Sequence, residues 1–407
     1  MTTRPTPIPT QAASAHTVPP LAGPERWLGT WSAALVLAAD SGLSRSGFRD
    51  QTIRNVIHAS VGGSAVRIRL SNVFGDRPLR VDGAHVAIRL AGAATVPGTG
   101  RAVTFGGAPS VIIPAGERAW SDQVPLRVED GDSLAVSLYV GAATGPATWH
   151  PAALSTSYRC DRGDHAADPG SGAFGQQSTS WFFLDGVDVL NPAVRGAVVA
   201  FGPSTTDGIA STPDTNGRYP DLLARRLRRL PPGMRMSVLN AGIAGNKLLA
   251  DAGTSGQSAL DRFLRDAAGQ SGARAVILWE GNNDVATRPD LPLGVITGAY
   301  QRLVRLAHAH GMRIIGATLQ PHEGAAFYSH AGNRLREAVN DWIRWSGAFD
   351  GVADFDQVLR DPRHPRRLLP GYDSGDHLHP NDAGYRAVAA SVDLAALTGA
   401  GGDERVA

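Results

Sequence analysis

Five residues in the second half of this chain have the side chains or backbone needed for acyl transfer: Ser204, Gly245, Asn283, Asp376 and His379. A serine hydroxyl becomes a nucleophile when a base takes its proton, and histidine titrates in the right range for that task. The base needs a carboxylate on its other ring nitrogen to hold its orientation. Asp376 and His379 are three residues apart, close enough in a turn or helix start for the carboxylate to reach the imidazole. The oxyanion that develops on the substrate needs hydrogen-bond donors. A glycine turn at Gly245 can present a backbone N–H without steric obstruction, and the Asn283 amide supplies another. One such donor is worth ~3–4 kcal/mol at the transition state.

Distant residues meet only if the elements between them bring them together. After residue 195 the chain alternates strand and helix patterns. Apolar strand candidates are 197–201, 237–240, 275–279, 313–319 and 351–355, and helix candidates are 292–310, 331–346 and 381–397. Tyr219, Leu222, Leu223, Leu227 and Leu230 recur at spacings of three and four, one apolar helix face opposite an arginine-rich one. Alternation of this kind predicts a parallel sheet covered by helices on both faces. Ligands in such folds bind outside the carboxyl ends of the strands. Ser204, Gly245, Asn283 and the Asp376/His379 segment each follow a strand candidate, so the pattern itself predicts that they converge on one sheet edge.

Before residue 190 the pattern differs. Residues 66–70, 85–90 and 133–140 alternate apolar and polar side chains between turn clusters such as Gly62-Gly63 and Asp130-Gly131-Asp132. Period two over several short runs predicts an antiparallel sandwich or jelly roll. Residues 170–177 read as a Gly/Ser/Gln loop and 185–195 as the junction. The expected organisation is a flexible leader over 1–25, a β-sandwich domain over 26–190, an α/β domain over 191–398 and a flexible tail over 399–407.

The chain has 407 residues, 43% of them hydrophobic, so a sizeable core is available. Its 39 basic and 37 acidic residues are scattered, and Lys247 is the sole lysine, so neither nucleic acid nor a membrane is implied as a partner. The single cysteine, Cys160, excludes an internal disulfide framework and multi-cysteine metal sites. No apolar run approaches the ~20 residues of a membrane helix. The N-terminus lacks the apolar core of a signal peptide, which points to a cytoplasmic protein.

The four blocks around Ser204, Gly245, Asn283 and Asp376-x-x-His379 resemble those of the SGNH, or GDSL-type, hydrolase superfamily. The phrases V-L-N-A-G-I-A-G-N, E-G-N-N-D, N-D-W-I-R and D-H-L-H-P-N-D-A-G-Y, with Trp27-Leu28-Gly29-Thr30-Trp31 at the start, resemble a branch in which a β-sandwich precedes the hydrolase domain. The resemblance spans about residues 26–397. It implies a three-layer, flavodoxin-like hydrolase domain. It implies Ser204 as nucleophile, His379 as base and Asp376 as its orienting carboxylate, with the oxyanion held by the N–H groups of Ser204 and Gly245 and the Asn283 side chain. The implied reaction is hydrolysis of an acyl ester, acetyl among them, of a sugar or small-molecule alcohol through an acyl-enzyme. No metal or organic cofactor is implied, and the oligomeric state is left open.

One departure stands out. The family's G-D-S is G-P-S here, with Pro203 in place of the acid. Proline lacks an N–H and pushes Gly202 toward extended geometry, while Ser204 keeps its own N–H. The change leaves two alternatives open: an acyltransferase or cyclising enzyme with an acceptor other than water, and a ligand-binding protein on a degenerate hydrolase scaffold. Asn282 occupies a position usually apolar in this branch. Among other residues, Asp207 reads as a brace for the first turn, and Arg218 and Tyr219 as pocket-lining or packing residues. His308 and His310 read as solvent-facing rather than metal ligands, Trp149 and Trp181 as core, and Cys160 as an inert thiol.

Overall fold

The computed structural model describes residues 26–399; the leader expected over 1–25 and the expected tail beyond Gly399 lie outside them. The first part is built from antiparallel strands. In one sheet β1 (Trp27–Ser32) and β3 (Val66–Ser71) flank β6 (Leu184–Leu190), with the short strand Arg118–Trp120 outside β3. In the other, β5 (Ser133–Val140) pairs with β2 (Gln51–His58) on one side and β4 (Gly83–Ala91) on the other. The three alternating runs expected from the sequence are β3, β4 and β5. The expected loop over 170–177 contributes its end to a short strand, Gln176–Ser178.

The junction expected over 185–195 begins later than its polar residues suggest. Asp185 and Asp188 lie inside β6; Asp188 pairs with Arg67 of β3, and Asp185 falls where the register shifts between Leu184 and Gly186. Their burial is permitted by ion pairs: Asp185 with Arg69 at 2.6 Å and Arg118 at 2.9 Å, and Asp188 with Arg67 at 2.8 Å. A buried, neutralised carboxylate does not interrupt a strand, although it disguises the apolar period.

The second part holds a five-stranded parallel sheet: β7 (Gly196–Gly202), β8 (Met236–Gly242), β9 (Ala273–Leu278), β10 (Arg313–Ala317) and β11 (Gly351–Ala353), in the order β8-β7-β9-β10-β11. Residues 197–201 of β7 are wholly inaccessible, as expected of a central parallel strand covered on both faces. Right-handed crossovers in this order put helices on both faces and create a reversal between β7 and β9, where such folds bind ligands. The covering helices include α2 (Tyr219–Leu227), α4 (Leu293–Ala309) and α5 (His330–Trp345). In α4 the buried residues Ile296, Ala299, Tyr300, Leu303, Val304 and Ala307 trace one stripe. The single helix expected over 381–397 is two, α6 (Asp382–Ser391) and α7 (Leu394–Thr398), because the Asp393 side chain caps a new start at the Ala395 N–H.

The two parts share one continuous cluster of buried apolar side chains, from Leu28 of β1 through Leu239 of β8 to Leu397. Polar ties cross between them as well: Ser32 Oγ donates to the Asn240 carbonyl at 3.2 Å, and Arg69 to Gln270 Oε1 at 3.1 Å. Among the described residues no helix is long and apolar enough to cross a membrane.

Candidate active site

Ser204 is the first residue of a short helix, α1 (Ser204–Asp207), that follows β7 directly. Pro203 sits just before it, and its carbonyl accepts the N–H groups of Thr206 at 3.0 Å and Asp207 at 2.9 Å. Gly202 is the last residue of β7, so the extended geometry that proline asks of its predecessor is already that of the strand.

His379 lies in the segment before α6, and its Nε2 is 2.8 Å from Ser204 Oγ. Its Nδ1 is 2.5 Å from Asp376 Oδ2. An ionised carboxylate only accepts, so Nδ1 carries the proton and Nε2 offers a lone pair to the serine hydroxyl. Partial burial pushes the Asp376 carboxyl up. Hydrogen bonds from the His379 ring and from the N–H groups of His379 and Leu378 outweigh that push and hold it at about 2. The irregular segment is fixed from within. Asp376 Oδ1 accepts those two N–H groups at 2.8 and 2.9 Å, and Asn381, which caps α6, donates to the Asp373 carbonyl at 3.0 Å. A second pair, His377 Nδ1 with Asp373 Oδ2 at 2.6 Å, lies in the same segment.

Gly245 follows β8 with φ +77°, a left-handed conformation that favours glycine, and a Cβ there would fall 2.5 Å from Ser255 Oγ. Among the described residues, the N–H groups of Ser204 and Gly245 donate to no protein acceptor. Asn283 lies in α3 (Asn282–Thr287) after β9, and its amide donates one hydrogen to the Asn246 carbonyl at 2.7 Å. That bond ties α3 to the Gly245 turn and leaves the second amide hydrogen available. Asp284 strengthens the tie by accepting the N–H groups of Leu248 at 2.7 Å and Leu249 at 3.0 Å.

Two residues that sequence reasoning passed over support this arrangement. Arg262 is completely buried and donates to the carbonyls of Gly202 at 3.1 Å and Ala241 at 2.7 Å and to Asn246 Oδ1 at 2.8 Å. One guanidinium thus joins the end of β7, the end of β8 and the residue after Gly245. Glu280 lies 3.6 Å from it, and burial pushes that carboxyl up to about 8 against the pull of Arg262. His150, from the antiparallel part, bonds Asp207 Oδ1 at 2.9 Å while Asp207 Oδ2 accepts the Ala244 N–H at 3.0 Å. Asp207 therefore braces the turn as expected, with a partner from the other part. Both were hidden because their partners lie far away in the sequence; the only local signal was an arginine at an apolar helix position.

The remaining candidates are structural. Tyr219 is buried against Trp279 and Phe355. Arg218 lies over Trp181, whose Nε1 donates to the Val56 carbonyl, and Trp149 donates to the Leu37 carbonyl. His308 pairs with Asp350 at 2.9 Å, and His310 with the Leu306 carbonyl. Cys160 is buried, with its sulfur accepting the Thr52 N–H. Asn282 is buried with its carbonyl oxygen lacking a partner among the described residues, and no role follows for it.

In the parallel-sheet part, residues 200–387 match the model of the GDSL-like lipase/acylhydrolase family. A GDSL-like lipase from Bacteroides thetaiotaomicron is similar in structure at 19% identity, over 50% of this chain and 88% of that one, with a TM-score of 0.38. A carbohydrate acetylesterase family member from Sinorhizobium meliloti is similar at 17% identity, over 50% of this chain and 99% of that one, with a TM-score of 0.41. A family two carbohydrate esterase from Cellvibrio japonicus aligns over 92% of this chain and 96% of its own at 12% identity, with a TM-score of 0.36. No curated protein matches the chain.

Proposed function

We propose that the chain is a serine esterase that cleaves an acyl ester of a sugar or small-molecule alcohol. The observation that carries this reading is the continuous contact Ser204 Oγ–His379 Nε2–Asp376, at 2.8 and 2.5 Å. His379 Nε2 takes the Ser204 proton as Oγ attacks the acyl carbon. The oxyanion of the tetrahedral intermediate is held by the N–H groups of Ser204 and Gly245 and the free hydrogen of the Asn283 amide. Collapse breaks the ester bond, and His379 hands its proton to the leaving alcohol oxygen. Water then attacks the acyl-enzyme, His379 takes a proton from that water, and collapse returns it to Ser204 Oγ as the acid leaves. Asp376, with its carboxyl held at about 2, stays ionised throughout and stabilises the imidazolium.

In the same reading the chain divides into an antiparallel domain over 26–190, which walls the site, and a hydrolase domain over 191–398. Support comes from the change of sheet type between β6 and β7 and from the His150–Asp207 contact.

Intact-mass analysis after treatment with a fluorophosphonate tests the reading. One adduct is expected on the native chain and none on Ser204→Ala. No adduct on the native chain, or an adduct retained by the variant, overturns it.

A further inference from the structure

Four arginines, Arg26, Arg195, Arg274 and Arg313, line a cavity of about 370 Å³ whose described lining contains no carboxylate. It lies where the parallel strands begin. Arg195 immediately precedes β7, Arg274 is in β9 and Arg313 opens β10. At ~3.3 Å per strand residue, the start of β7 is roughly 20 Å from Ser204, so this is a different site.

Contacts with neighbouring backbone position Arg26, Arg274 and Arg313, and among the described residues no carboxylate neutralises them. Arg313 Nε donates to the Ala396 carbonyl at 2.7 Å and one Nη to the Asp350 carbonyl at 3.2 Å, which leaves its other Nη uncommitted. Oδ2 of the Asp350 carboxylate meets His308 and accepts the Ile314 N–H. Arg26 donates to the Arg195 carbonyl. The stem of Arg274 lies across Gly196, where a Cβ would fall 2.3 Å from Arg274 Cγ, so glycine makes room for it. Among the described residues none of the four guanidinium groups pairs with a carboxylate. Burial, and then the charge of Arg274, lower the pKa of Arg26, as crowded like charges require.

Such a cluster repels itself until a multivalent anion enters. Guanidinium forks match phosphate oxygens in geometry, and the volume falls in the range of small-ligand pockets, about 300–1,000 Å³. We propose that this cavity binds a phosphate-bearing small molecule, separately from the ester-cleaving site.

Calorimetric titration of the full chain with inorganic pyrophosphate at fixed ionic strength tests this. Saturable binding of one equivalent is expected, weakened about tenfold or more in Arg195→Gln and Arg274→Gln. The Arg195 side chain is exposed, so that variant keeps the fold. Ser204→Ala, and Arg363→Gln at an exposed position outside the cavity, are expected to bind as the native chain does. The absence of saturable heat in the native chain overturns the proposal. So does unchanged affinity in the two cavity variants, or an equal loss in Arg363→Gln, which marks diffuse charge attraction.

Discussion

At Asn283 one amide hydrogen is already committed to the Asn246 carbonyl at 2.7 Å, so the side chain is oriented before any substrate arrives. A donor fixed in this way loses little on reorganisation when the oxyanion forms. Asn283→Ala is expected to lower the rate of acylation ~100–1000-fold with little change in KM. Stopped-flow release of the alcohol from a chromogenic ester checks this. Ser204, Gly245 and Asn283 were legible as candidates because each lies in a short block soon after a strand, and Asp376 and His379 because of their three-residue spacing in the long segment after the last one. Arg262 and His150 were not, because a side chain that meets partners from other elements leaves no trace in local spacing. Pro203 was legible as a departure, and the structure shows why the turn tolerates it: its carbonyl does the bonding and Gly202 is already extended.

Among elements, β7 and β8 are paired by a regular ladder up to Gly202 and Gly242, and Arg262 ties both of these strand ends to the residue that follows Gly245. Arg262→Met keeps the volume and removes the donors, leaving Asp266 at 3.7 Å and Glu280 at 3.6 Å with less counter-charge. A loss of about 3–5 kcal/mol is expected from breaking such a buried set, read from the urea midpoint and slope. The five strands fall within a few residues of their expected places because buried parallel strands are plain apolar runs. The break between α6 and α7 escaped the pattern because a capping aspartate, not a glycine or proline, ends the run. Strand β6 extended into the expected junction because arginines from neighbouring strands neutralise its aspartates.

For the molecule as a whole, the two parts meet around a shared apolar core and a few buried polar ties, of which His150–Asp207 is the one nearest the site. Burial lowers the pKa of His150, but the Asp207 charge and hydrogen bond raise it further, and the net direction is upward. A histidine whose pKa is raised on folding adds stability that is complete below its unfolded value of about 6.5 and is lost as pH climbs through the folded value. The native chain is therefore expected to lose urea resistance as pH rises above about 6.5 relative to His150→Gln, which lacks this proton. Urea midpoints for both proteins across that range measure the difference; a gap independent of pH would show that His150 is not protonated in the folded state.

The central claim is that Ser204 and His379 work as one device. Residues that act as a unit show losses that do not add. The most direct measurement is kcat/KM on a simple ester for Ser204→Ala, His379→Ala and the double variant. All three are expected to fall to the same floor, on the order of 10⁴–10⁶-fold below the native chain. A double variant whose loss equals the product of the two single losses, or a Ser204→Ala protein that still turns over, would contradict the account.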